Sequence, residues 1–96
     1  MSAYVIRSGD RAAFLASLRE LVDFLTDNPA VVVPRHASVA VLVDASDSTS
    51  RREGVESVAA PLGVPTEDLG QGYFDARREF GPIAYVVVAI PPEEGQ

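Results

Sequence analysis

The chain contains no cysteine, no tryptophan and no lysine, so all 8 of its basic residues are arginine. Without cysteine, disulfides, thiolate nucleophiles and zinc–thiolate centres are excluded. His36 is the only histidine, and a Ser-His-Asp triad could draw its base from nowhere else. It sits beside Pro34 and Arg35 in a connection, where it reads as a solvated loop residue. Positive charge is scarce: 8 basic residues face 14 acidic ones, for a formal net charge of -6. Phosphate backbones recruit basic surfaces, so nucleic acid is an unexpected partner. Arg51-Arg52 and Arg77-Arg78 are the only basic doublets. Long apolar runs are missing too. The longest, "IAYVVVAI", falls far short of the ~20 residues of a membrane helix. The first residues, "MSAYVIRSGD", carry neither the apolar core nor the cleavage site of a signal peptide. The expectation is a cytoplasmic, soluble protein.

What is present is a globular balance, 47% hydrophobic and 23% charged, over 96 residues. That length holds one core, and we assign residues 1–91 to a single domain and 92–96 to a flexible acidic tail. "AYVIR" reads as a short edge strand. Phe14, Leu18, Leu21 and Leu25 recur at i, i+4, i+7 and i+11, with Leu15 and Val22 widening the stripe. Asp10 is the expected N-cap of this helix, and Asn28-Pro29 its end. Val31 to Val33 lead through Pro34 as an extended connection. "SVAVLVD", residues 38–44, is apolar on both faces and reads as a central covered strand. Val55, Val58, Ala59 and Leu62 give a second amphipathic helix from about Arg51, ended near Pro61, Gly63 and Pro65.

The last third reads as a hairpin. In "GYFDARREF", Tyr73, Asp75, Arg77 and Glu79 alternate with Phe74, Ala76, Arg78 and Phe80; Gly81-Pro82 then breaks the run before "IAYVVVAI". The order is (β)αβαββ: an α+β two-layer sandwich, with a mixed sheet, a C-terminal β-hairpin and two amphipathic helices on one face.

Two surfaces could carry function. Asp44-Ala45-Ser46-Asp47-Ser48 follows an apolar strand and resembles the metal-ion-dependent adhesion motif of von Willebrand factor A and integrin I domains. That resemblance implies Mg²⁺ held by oxygens of Asp44, Ser46 and Ser48, a chemistry that suits a hard cation. The family adds a Thr and an Asp from later loops, for which Thr66 and Asp68 are the nominal counterparts. The competing reading is a helix start, with Ser50-Arg51-Arg52-Glu53 as a capping box, and we favour it. The motif "GVPTEDLGQG" lacks phosphate-loop spacing and reads as a turn-rich connection. The paired carboxylates Glu67-Asp68 and Glu93-Glu94 suggest no facing acid–base pair. No catalytic residue is assigned.

The second surface is a Tyr/Arg patch on the open sheet face, formed by Tyr73, Arg77 and Tyr85; both residue types are enriched at interface hot spots. The Val-rich strand "YVVVAI" also invites edge pairing if uncovered. The reading is a non-enzymatic interaction or accessory module, binding another protein or itself as a homodimer through its sheet face or an edge strand. A metal-dependent binder or small enzyme using Asp44, Ser46 and Ser48 is the alternative. "LRELVDFLTDNPAVVVPRH", followed by "REFGPIAYVVVAIP", resembles small proteins of actinobacteria and their phages, a resemblance that implies no activity; no cofactor is expected, with Mg²⁺ belonging to the alternative reading alone.

Overall fold

The structure is a computed structural model and describes residues 3–92. Most of the tail expected at 92–96, with the Glu93-Glu94 pair, therefore lies outside the described residues. Five strands and two helices follow in the order β1 (Val5–Ile6), α1 (Arg11–Asp27), β2 (Ala37–Asp44), α2 (Ser48–Leu62), β3 (Glu67–Gly70), β4 (Tyr73–Phe80) and β5 (Ile83–Ala89). The strands form one sheet in the order β1-β2-β5-β4-β3. Only β2 and β5 run parallel, which makes the sheet mixed. This is the expected α+β two-layer arrangement, with one strand more than the sequence led us to expect. The extra strand is β3, in the segment read as a turn-rich connection.

Alternation within the hairpin decides what is buried. Phe80 pairs with Ile83, so Gly81 and Pro82 form a two-residue turn. Gly81 has φ 64, the positive value that the first position of a type II′ turn demands and that glycine supplies without strain. The register then places Phe74 opposite Ala89 and Ala76 opposite Val87. Those side chains face α2 and join Val43, Val55 and Ala59 in the core. Val55, Val87 and Ala89 are wholly buried, and Phe74 is the only aromatic residue among the buried ones. The core is compact, built mostly of small side chains, and lies at one end of the sheet.

A close approach holds α2 there. Gly54 faces β2, and a Cβ at that position would collide with Val43 Cγ1 and lie 3.1 Å from the Tyr4 ring. Only a bare Cα allows the helix so near the strand. The helix begins earlier than the sequence indicated, at Ser48 rather than about Arg51, and its N-cap is Asp47.

The first helix behaves differently. Asp10 caps it as expected, accepting from the amides of Ala12 and Ala13, and Asn28 ends it. Yet none of its 17 residues is buried. Leu18 and Leu25 are half-buried, while Phe14, Leu21, Val22 and Phe24 are exposed. Its first turn approaches the α2 side of the sheet, where Arg11 comes beside Val58, Leu62 and Tyr85. The rest stands away from the sheet. The radius of gyration, 15.9 Å, reflects this; a compact chain of this length would have about 12.5 Å.

Two expectations about cover change accordingly. Strand β2 is not covered on both faces: Val43 alone is buried, and Val39 and Val41 are only half-buried because α1 does not close over them. Nor does β5 present an edge, since it lies between β2 and β4. Open edges lie instead along β2 and, on the other side of the sheet, along β3 and residues 76–80 of β4, since β3 pairs with β4 only at residues 73–75. β1 pairs only with Asp44 and Val43, and the Arg7 amide donates to the Leu42 carbonyl before the chain turns away. Among the described residues, none pairs with residues 37–41 on that side.

Candidate functional site

The acidic loop is built around the start of α2. The Asp47 carboxylate accepts from the Ser50 amide at 2.8 Å and from the Ser50 hydroxyl at 3.0 Å. The Ser50 oxygen in turn accepts from the Ala3 amide at 3.1 Å, tying the first strand's approach to the helix. Ser50 is thus a buried relay at the third helical position, and the expected capping box centred on it is replaced by Asp47. A carboxylate is the better cap here: it takes two donors and carries the charge that the positive helix end favours. These bonds, with the Ser50 amide foremost and the hydroxyl next, hold the Asp47 carboxyl below its ordinary pKa of 3.8.

That shift has a definite sign. A carboxylate whose folded pKa is depressed contributes stability above its unfolded pKa, and the contribution is lost as pH falls through the folded value. Asp47→Asn keeps an acceptor at the cap but cannot titrate. Urea unfolding from neutral pH down through the carboxylate range should therefore show the stability gap between wild type and Asp47→Asn closing on acidification. Parallel curves would show that the cap does not sense the proton.

The residues implied as metal ligands are not brought together. Asp44 pairs with Arg7, both well exposed. Ser46 and Ser48 are exposed, Ser48 being the first residue of α2. Thr66 and Asp68 lie at β3, on the far edge of the sheet, three strands from β2. At about 4.8 Å per strand, that is roughly 14 Å away. Asp68 is occupied locally, accepting from the Gly70 amide and facing Arg52 at 3.6 Å. Among the described residues, no cluster of His, Asp or Glu is placed to hold a metal ion.

Arg51, the first residue of a basic doublet, is buried. Its guanidinium donates to the Gly72 carbonyl at 2.8 Å and the Ala45 carbonyl at 2.9 Å. It therefore joins the β2–α2 loop to the turn before β4 with charge-assisted bonds, each stronger than its neutral counterpart. The planar fork of Arg suits two carbonyls at fixed angles better than an ammonium would. Its role is structural.

The Tyr/Arg trio is split between faces. Arg77 pairs with Val86 across the hairpin, whereas Tyr85 pairs with Arg78. Paired residues share a face, so Tyr73 and Arg77 lie on the open face and Tyr85 lies with α2. Arg77 stays exposed, and among the described residues no ion pair joins it to Asp75 or Glu79. Arg78 reaches the Leu62 carbonyl at 3.2 Å and lies over the Phe80 ring.

Tyr85 instead contributes to an open groove of about 580 Å³, between the start of α1 and β2. Phe14 and Leu15 form one wall, and Val39, Val41 and Tyr85 the other, with Arg7, Asp10 and Arg11 at its rim. Exposed apolar residues are also concentrated in the part of the chain that follows Leu15. Of the 15 large hydrophobic residues exposed among the described residues, eight fall between Phe14 and Val33, including Val32 at 89%. Singly exposed apolar residues need no explanation, but eight within one segment of 20 residues are more than scattered exposure. Sequence periodicity identified this stripe, but not the fact that the sheet leaves it uncovered. The lining is apolar at its walls and charged at its rim. No family model matches the chain, and neither a curated protein nor a solved structure is found to be similar to it.

Proposed function

We propose that the chain is a non-enzymatic interaction module that docks a protein through the apolar stripe of α1 and the groove at the free edge of β2. The observation that carries this is a capped, 17-residue amphipathic helix with no residue buried by its own domain. In proteins most helical stability comes from packing of the apolar face, not from propensity. A helix that keeps Phe14, Leu21, Val22 and Phe24 in water lacks that support until another surface supplies it. The expected edge-strand and sheet-face contacts move with this reading: the edge is that of β2, and the face is the one bearing Tyr85. Arg7, Asp10 and Arg11 supply both signs of charge at the rim, a common way to set register around an apolar centre.

The test is recovery of the full-length chain from the cells that make it, followed by native mass measurement. Wild type should be found in an assembly heavier than its 10.2 kDa. The variant Leu18→Asp/Leu21→Asp should be recovered as a single folded chain. Recovery of wild type alone at the single-chain mass would defeat the proposal.

A further inference from the structure

Taking α1 as the docking surface, we infer that its partner is α1 of a second copy of this chain, the two helices lying antiparallel across a two-fold axis midway between residues 19 and 20. Phe14, Leu18, Leu21 and Leu25 are spaced 4, 3 and 4 residues apart, a series that reads the same in both directions. Turning one helix end for end therefore superposes the stripe on itself: Phe14 meets the second copy's Leu25, and Leu18 its Leu21. The same operation sets Arg11 opposite Asn28 at the two ends. A two-fold interface needs such self-complementarity, and alternating steps of four and three are those of a coiled-coil seam.

Charge agrees with the pairing. The positions flanking the seam are Leu15, Ser17, Val22 and Phe24, none of them charged. Arg19, Glu20, Asp23 and Asp27 fall on the far side of the helix, so a chain of net charge -6 brings no like charges into the contact. The area agrees as well. The chain exposes 7181 Å², where a compact protein of its mass would expose about 5,300 Å². The surplus of roughly 1,900 Å², spread over the whole chain, leaves room for the ~800 Å² per partner of a standard interface. The antiparallel arrangement also lays the end of one helix beside the start of the other. Val31 to Val33, exposed in the single chain, are thereby carried to the second copy's groove, against Val41 and Tyr85.

Sedimentation equilibrium of the purified full-length chain, with nothing else present, should give twice the chain mass, and Leu18→Asp/Leu21→Asp should give one chain mass. Orientation is read by oxidising mixed Phe14→Cys and Leu25→Cys chains, which is clean because the native chain has no cysteine. The antiparallel pair predicts the mixed 14–25 disulfide as the main product. It places position 14 of one chain about 16 Å along the axis from position 14 of the other, beyond the ~7 Å that a disulfide spans between Cα atoms. Because the cysteine pair introduces no charge into the seam, this readout survives even if the aspartate variant fails to fold. A single-chain mass for wild type at every concentration, or 14–14 and 25–25 products in place of the mixed one, would overturn the inference. A heavier assembly in cells alongside a monomer in isolation would leave the interaction module standing and remove only the second copy as its partner.

Discussion

Phe74→Ala is expected to lower the free energy of unfolding by about 3–5 kcal/mol, the range for deleting a buried aromatic side chain. Phe74 is 5% exposed and packs among Val55, Ala59 and Val87 beneath α2. The neighbouring side chains are mostly small and cannot swing into the vacated space. The Arg52 guanidinium, 5.3 Å from the ring centroid, also loses its partner. A domain of this size holds roughly 5–14 kcal/mol in total, so the loss takes a large share of it. Phe24→Ala is the informative contrast. Phe24 is a residue of the same type, 53% exposed on α1, and in dilute protein its removal should stay within about 0.5 kcal/mol. Urea titrations of both variants, compared by midpoint and slope, check the pair. Equal losses would mean that α1 belongs to the same core as α2.

The second large effect reverses a common expectation. Replacing an exposed helical glycine with alanine ordinarily stabilises a protein by up to about 1 kcal/mol, by restricting the unfolded chain and improving helix propensity. Gly54→Ala should instead destabilise by about 1–3 kcal/mol, the cost of overpacking a closed core. The added methyl would meet Val43 Cγ1 far inside van der Waals contact. Val43 is 2% exposed and fixed within the sheet, so it has nowhere to yield. Either α2 lifts from β2, opening the cluster of Val55, Ala59 and Val87, or Val43 leaves its rotamer. Thermal unfolding of Gly54→Ala decides the sign: a raised midpoint would show that the helix can shift at no cost.

What could be read from the residues alone follows the range of the interactions. Local signals were sufficient for α1, where periodicity, Asp10 and Asn28-Pro29 mark the body and both ends. They were also sufficient within β4, where alternation sends Phe74 and Ala76 inward and Tyr73 and Arg77 outward. The start of α2 is ambiguous in the sequence because two capping signals overlap there, and in the fold the Asp47 carboxylate takes the cap in place of the Ser50 hydroxyl. β3 leaves no mark in the sequence because Glu67–Gly70 has no apolar alternation; its strand character comes from pairing with β4.

Tyr85 shows the limit most clearly. Its parity within β5 is plain, but its phase relative to Arg77 depends on the number of residues in the turn. With Gly81 and Pro82 alone in the turn, Tyr85 falls opposite Arg78. The metal reading of Asp44, Ser46 and Ser48 rested on three neighbours in sequence, whereas its further ligands depended on where β3 lies in the sheet. Cover over α1 is a property of the whole fold as well. An apolar stripe announces that a helix will be buried and does not say by which surface.

That point is open to direct measurement by hydrogen exchange, followed amide by amide, over a dilution series of the wild-type chain. If another chain covers α1, protection of residues 14–25 should fall with dilution while β5 and the buried side of α2 stay protected throughout. Protection of α1 equal to that of β5, and indifferent to concentration, would mean that the helix is packed on its own sheet, contradicting the account.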